Sequence, residues 1–326
     1  MSEPMLSVED LIVRFHLKRG TLTAVNGVSF NVNKGETFGL VGESGSGKSV
    51  TARAIMRLLP EPPAEITAKK VIVEGQNIYD LNNDEIRSIR GRKIAMVFQE
   101  PMSALNPVYT VGAQIGDVLR TNLNMNKAEA RERTIELLDL VGIPSARGRV
   151  DNYVHEFSGG MRQRVMLAMA LSCDPTFLIA DEPTTALDVT IQATILELIS
   201  SMIDRFDMSL LFITHNLGVV AHSCDRIGVM YASHMVEMGE KREIFKNPMH
   251  PYTIGLLNSI PRMDAKTEFL TPIEGSVCNM MDPPTGCKFN PRCQHAMDIC
   301  RQEIPKFREV APGHWAACHL NDMASV

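Results

Sequence analysis

The stretch GESGSGKS, Gly42 to Ser49, matches the pattern G-x-x-x-x-G-K-[ST]. A short apolar run, TFGLVG, leads into it, and a segment of helical period, SVTARAIMRLL, follows. A strand, a glycine-rich turn and a helix N-terminus in that order make an anion cradle, because backbone N–H groups and the positive end of the helix face the same point. Lys48 would reach the β- and γ-phosphates of a nucleotide, and Ser49 would hold Mg²⁺. Glu43, Ser44, Gly45, Ser46, Gly47 and Val50 complete the predicted cradle.

A second stretch, TFLIADEPTTALD, ends an apolar run on two carboxylates, Asp181 and Glu182. A buried strand that delivers an aspartate beside a phosphate loop supplies a Mg²⁺ ligand. Glu182, one residue further, is the candidate general base for an attacking water. A third stretch, FSGGMRQRVMLAMAL, opens a helix on Ser158, Gly159 and Gly160, whose N-terminus would attract an anion. A fourth group is the cysteines. Cys287, Cys293 and Cys300 fall within CKFNPRCQHAMDIC, and Cys318 follows, with His314 and His319 on either side of it. Four thiolates suit zinc or an iron–sulfur cluster, although the short C-x2-C knuckle common in zinc sites is missing. A disulfide pair and chance clustering are the remaining readings.

Elements that could position these groups are legible in the pattern. MLSVEDLIVRF and VNGVSFNVN read as strands, and PEPPAEIT ends the helix after the phosphate loop. From about Thr110 to Leu171 the period is helical. TFLIAD, SLLFITH and RIGVMY then alternate with TIQATILELISSMIDRF, which predicts a parallel α/β sheet. After about Ile260 the texture turns to Pro, Cys, Met and polar residues, which places a boundary near Pro261.

The 326 residues carry a net charge of -5, so bulk electrostatics do not point to nucleic acid. No run reaches the length of a membrane span. The N-terminus has acidic residues and no basic-then-apolar block, which predicts a cytoplasmic chain without a signal peptide. In a reducing cytoplasm clustered cysteines favour metal or redox roles over disulfides. Cys173, Cys224, Cys278 and His250 are expected to be packing or turn residues.

In their order and spacing these motifs resemble the nucleotide-binding subunit of an ATP-binding cassette (ABC) transporter. The resemblance covers residues 1 to about 260. It implies an α/β P-loop NTPase core with an antiparallel β subdomain and a helical subdomain at about 105–172, followed by a small Cys-rich extension over 261–326. It assigns the Walker A loop to Gly42–Ser49, the Q-loop to Gln99, the signature to Ser158–Gly160 and Walker B to Phe177–Asp181. The catalytic glutamate is then Glu182, the D-loop lies around Ala186–Asp188, the switch histidine is His215, and Phe15 is the aromatic that stacks on adenine. Gln99 joins Ser49 and Asp181 as a Mg²⁺ contact and senses the nucleotide. The signature departs from the family's Leu-Ser-Gly-Gly-Gln: Phe157 and Met161 flank Ser158–Gly160. Thr185 stands where Ser is commoner. In this family two subunits close head to tail, with ATP between one Walker A loop and the other signature helix.

VFQEPMSALNP and NPMHPYTIGLLNSIP resemble the dipeptide, oligopeptide and nickel uptake branch. That resemblance implies a second, different ATPase subunit, two transmembrane permease subunits and, indirectly, an extracytoplasmic solute-binding protein. It also implies a peripheral position on the cytoplasmic face of the inner membrane and no nucleic-acid partner. Some members carry a [4Fe–4S] cluster on such an extension, so Cys287, Cys293, Cys300 and Cys318 are the implied ligands, with Zn²⁺ as the alternative. A tail with little core is expected to take its order largely from the metal. The competing functions are uptake of nickel or another non-peptide solute, a soluble ABC ATPase acting on ribosomes or nucleic acid, and a metal or redox sensor that uses ATP structurally. A single Walker A motif and the absence of sustained heptads weigh against the ribosomal reading.

Overall fold

A computed structural model describes residues 3–185, 187–260 and 273–323. The expected boundary near Pro261 lies outside the described residues. The chain divides into two compact units. The first comprises Met1–Met5, Asn33–Glu36 and Val73–Leu211, and the second Leu6–Val32, Thr37–Ile72 and Phe212–Val326.

The second unit begins with a long antiparallel pair, Leu6–Leu17 and Gly20–Val32, in which Val13 faces Val25 and Leu17 faces Gly20. Its buried residues, Val8, Leu11 and Val13, break strict alternation once. The register shifts between Val8 and Leu11, where Asp10 takes a positive φ and its N–H donates to Ser29 Oγ. A bulge of this kind inserts one residue and restores the inward face beyond it. Ala64–Thr67 pairs antiparallel with the first strand, setting Phe15 opposite Ala64. The helix after the phosphate loop ends at Ile55, ahead of the prolines expected to end it, where Arg57 takes a left-handed φ of 50°; AEIT is too short to show its own period, and only its pairing partner makes it a strand.

Thr37–Val41 pairs in parallel with Arg226–Tyr231. Phe38, Leu40, Val41, Ile227, Val229 and Met230 are fully buried, the continuous apolar signature of a strand covered on both faces. Arg226–Tyr231 then pairs antiparallel with His234–Glu240, and that strand with His314–Ala316, which forms a hairpin with Arg308–Ala311. The Cys-rich extension therefore adds strands to the unit. Strand pairing ties it to the body of the unit.

The joint between them is buried. Glu237, fully buried, accepts the N–H groups of Met249 (2.6 Å) and His250 (2.9 Å), and its Oε1 also accepts from His314 Nε2 at 2.8 Å. A carboxylate out of water is tolerated only with such partners. His250, also buried, caps the helix Pro251–Asn258 by accepting the Tyr252 N–H on Nδ1. This agrees with its expected packing role.

The first unit holds a parallel pair, Ile94–Val97 with Phe177–Asp181, every residue of it buried. Its helices include Val111–Leu123, Lys127–Leu140 and Gly159–Leu171, within the span where the sequence has helical period. Val111, Ile115 and Leu119 lie four apart and are buried, so one face of that helix packs inward. Thr110 and Asn126 cap two of these helices with their side chains, and Glu129 completes a capping box with Asn126.

Replacing Glu237 by Ala leaves the buried His250 N–H, the part-buried Met249 N–H and the buried His314 imidazole without their acceptor. We expect a loss of about 3–5 kcal/mol in denaturant unfolding. A loss below about 1 kcal/mol would mean that the joint carries no such weight.

Candidate functional site

In the second unit the Thr37–Val41 strand runs straight into the phosphate loop, and the helix Lys48–Ile55 follows. The turn is tight at both ends. Gly42 has φ 153°, and a Cβ there would lie 2.1 Å from the Met230 carbonyl oxygen. Gly47 has φ 106°, and a Cβ would lie 2.4 Å from the Ala24 carbonyl oxygen. Only glycine fits either place. Lys48 is 4% exposed, and its Nζ donates to the carbonyls of Gly42 (2.8 Å) and Glu43 (2.9 Å). The lysine is thereby anchored to the loop it serves. The Ser46 carbonyl accepts the Ser233 N–H at 3.1 Å, and Thr51 Oγ1 donates to the Gly47 carbonyl at 3.0 Å. Ser44 and Gly45 are exposed at the loop tip, while Ser49 and Val50 are half-buried. The same unit carries His215, exposed just past the strand Ser209–Thr214, and Phe15, half-buried on the first strand.

In the first unit, register decides the geometry. Val97 faces Ala180 in the parallel pair, so residues two further on, Gln99 and Glu182, emerge side by side. Gln99 Nε2 donates to Glu182 Oε2 at 3.0 Å, and Thr185 Oγ1 donates to the same oxygen at 2.9 Å. Asp181, 1% exposed, ends the strand. Glu182 takes φ 46°, a left-handed conformation that costs a non-glycine residue on the order of 1–3 kcal/mol. Strain of this kind concentrates where a side chain must be aimed.

Ser158 caps the helix Gly159–Leu171, its Oγ accepting the Met161 N–H at 3.4 Å. A Cβ on Gly160 would lie 2.8 Å from Ile191 Cγ2, so the helix approaches its neighbour at this point. Phe157 is buried, and its departure from leucine is one apolar side chain for another. In the D-loop, Ala186 lies outside the described residues. Leu187 packs near Gly159, 3.7 Å from where a Cβ there would stand.

Cys287, Cys293, Cys300 and Cys318 gather around one small cavity, with Phe289, Leu320 and His319. His314 does not line this cavity, and its Nε2 bonds to Glu237. Among the described residues, no group of three or more His, Cys, Asp or Glu is arranged to hold a metal ion. The expected iron–sulfur ligand set is thus gathered in one place, but it is not arranged as a formed site for [4Fe–4S] or Zn²⁺. Phe289, Pro251 and Leu320 share the space with the thiols and with His250, His295 and His319. Burial raises the pKa of Cys287 and Cys293 and pushes Cys318 up to about 11, with the neighbouring thiols adding to each shift. Cys224 is buried and pushed up to about 12, chiefly by desolvation, and Cys173 is buried in the turn after its helix. Both behave as packing residues.

Sequence reasoning missed two groups at the phosphate loop. The Glu43 N–H donates to Tyr252 Oη at 2.9 Å, and the Glu43 carboxylate pairs with Arg292 at 2.7 Å. No local pattern signals either, since both partners lie more than two hundred positions away in the chain.

The fold and the motifs define an ABC-type ATPase, a nucleotide-binding cassette. A family model for the ABC transporter matches residues 25–185, and one for the oligopeptide/dipeptide transporter C-terminal region matches residues 236–300. The dipeptide transport ATP-binding protein DppD of Bacillus subtilis is 49% identical over 98% of this chain and 96% of its own length. The oligopeptide transport ATP-binding protein OppD of Escherichia coli is 48% identical over 97% and 93%. A solved dimer of the ATP-binding cassette MJ0796, in a post-hydrolysis state bound to ADP and Pi, superposes with TM-score 0.65 at 26% identity. It covers 73% of this chain and 99% of that one. The chain belongs to the ATP-binding proteins of the oligopeptide/dipeptide ABC transporter family.

If the Gly42 turn is what shapes the cradle, Gly42→Ala should weaken ATP binding by more than about tenfold in a nucleotide titration. Wild-type affinity in that variant would refute the steric argument.

Proposed function

We propose that this chain is the ATP-hydrolysing subunit of a peptide importer, and that Gly42–Ser49, Gln99, Asp181, Glu182 and His215 carry the hydrolysis. The observation that carries the reading is similarity to dipeptide and oligopeptide transport ATP-binding proteins along nearly the whole chain, extension included. It favours peptides over nickel as cargo, and transport over ribosomal or nucleic-acid work.

In this reading the loop N–H groups and Lys48 bind the phosphates, and Phe15 stacks on the base. Ser49, Asp181 and Gln99 would hold Mg²⁺, which neutralises charge on the phosphates when bound. Glu182 takes a proton from the attacking water as its oxygen bonds to the γ-phosphorus and the bond to the ADP oxygen breaks. Gln99 and Thr185 orient the Glu182 carboxylate. His215 contacts the γ-phosphate. Ser158, Gly159 and Gly160 serve the nucleotide of a second ATPase subunit, and a different partner subunit makes the pair a heterodimer. Two permease subunits receive the stroke, and an extracytoplasmic solute-binding protein selects the cargo. Among the described residues no helix is long and apolar enough to cross a membrane, which is compatible with a peripheral place on the cytoplasmic face of the inner membrane.

A metal-loaded form of the extension is a second, separable reading, supported by the convergence of four thiols on one cavity. It requires the thiols to lose their protons and rearrange around the metal. Protein purified without oxygen should then carry about four irons per chain and absorb visible light. Stoichiometric zinc would make the extension a zinc module, and protein free of both metals would remove this reading.

Glu182→Gln should keep ATP binding and lose roughly 10²–10⁴-fold in hydrolysis rate. In a strain that lacks this gene and depends on supplied peptides, the wild-type gene should restore growth and the variant should not. Hydrolysis at the wild-type rate by the variant would sink the assignment of Glu182.

A further inference from the structure

Glu43, the second residue of the phosphate loop, puts a carboxylate beside a site that binds polyphosphate. A carboxylate there repels the ligand unless its charge is cancelled. The partner is Arg292 of the Cys-rich extension. Nη1 lies 2.7 Å from Glu43 Oε2 and Nη2 3.1 Å from Oε1, a two-pronged pair. The arginine side chain is 5% exposed. Its other N–H groups are used as well: Nε donates to the Glu274 carbonyl at 3.0 Å and Nη2 to the Ile273 carbonyl at 3.3 Å. Such forked pairing fixes geometry as well as charge.

The surroundings hold the fork in place. The guanidinium carbon lies 5.7 Å from the Tyr231 ring centre and 5.9 Å from that of Phe289. Tyr231, Tyr252 and Phe289 pack on one another with ring centres 4.6–5.4 Å apart. Tyr252 Oη accepts the Glu43 N–H, and Lys48 Nζ donates to the Glu43 carbonyl. Residue 43 is therefore held by its amide, its carbonyl and its carboxylate. The extension does not need this contact for its own attachment, since it is already tied down by strand pairing at His314–Ala316 and by the buried Glu237–His314 bond. Phe289 also lines the thiol cavity, so the same residue touches both regions.

We propose that Arg292 is a positioning residue for ATP binding: the C-terminal extension clamps the phosphate loop through Glu43 and cancels its negative charge. This rests on reading Gly42–Ser49 as the ATP site. It makes the extension a working part of the nucleotide site, so that a disturbance at the thiol cavity reaches the phosphate loop through Phe289 and Arg292.

The test is ATP affinity of the full chain, by titration at low and moderate salt, for wild type, Arg292→Ala, Glu43→Gln and the double variant. Arg292→Ala exposes an uncancelled carboxylate and should weaken binding about tenfold, more at low salt. Glu43→Gln should cost only about two- to threefold, and adding it to Arg292→Ala should recover most of the loss. A merely structural arginine gives no such rescue, because Glu43→Gln cannot repair a misfolded extension. Should Arg292→Ala fail to fold by circular dichroism, Arg292→Lys, which keeps the charge and loses the fork, should weaken binding about two- to fivefold. Wild-type affinity in the soluble arginine variant, or a loss that Glu43→Gln does not reverse, overturns the proposal. A wild-type protein that binds ATP no better than Lys48→Ala would instead overturn the ATP-site reading itself.

Discussion

A polyanion can be gripped by uncharged backbone only where several N–H groups converge, and convergence demands a turn too tight for side chains. That constraint is met at Gly42 and Gly47, where a Cβ would collide with the carbonyls of Met230 and Ala24. Much of the second unit follows from it. The loop must be launched from a strand that does not move, so Thr37–Val41 is buried and paired in parallel with Arg226–Tyr231, which also supplies the Met230 carbonyl. The strand that confines the glycine is the same strand that supports the loop.

The first unit solves a different problem, the aiming of a carboxylate. Here the device is register. Parallel pairing of Ile94–Val97 with Phe177–Asp181 brings Gln99 and Glu182 out at the same level. The left-handed backbone at Glu182 then turns its side chain toward the Gln99 amide and the Thr185 hydroxyl. A shift by one residue would send these side chains to opposite faces. The buried apolar runs of both strands resist such a shift.

The extension shows how composition can mislead about order. Its Pro, Cys and polar texture carries no period, and a metal looked necessary to hold it. Short strands of the extension borrow a partner from the body of the unit, and one buried glutamate satisfies donors from both. The extension's cysteine thiols share one largely apolar cavity, where burial raises the pKa of Cys287, Cys293 and Cys318.

What the sequence by itself determined is everything that depends on neighbours along the chain. Gly42–Ser49 announced a phosphate loop, TFLIADE a strand ending on two acids, and Ser158–Gly160 a capped helix, because each is a local pattern whose physics is complete within a dozen residues. The order of these patterns was enough to name the family. Tertiary structure alone decided what depends on distant pairing. AEIT became a strand, Glu43 acquired Arg292 and Tyr252, and His314 acquired Glu237. Such contacts leave no local trace, since a single side chain does not encode which surface, far along the chain, will fold against it.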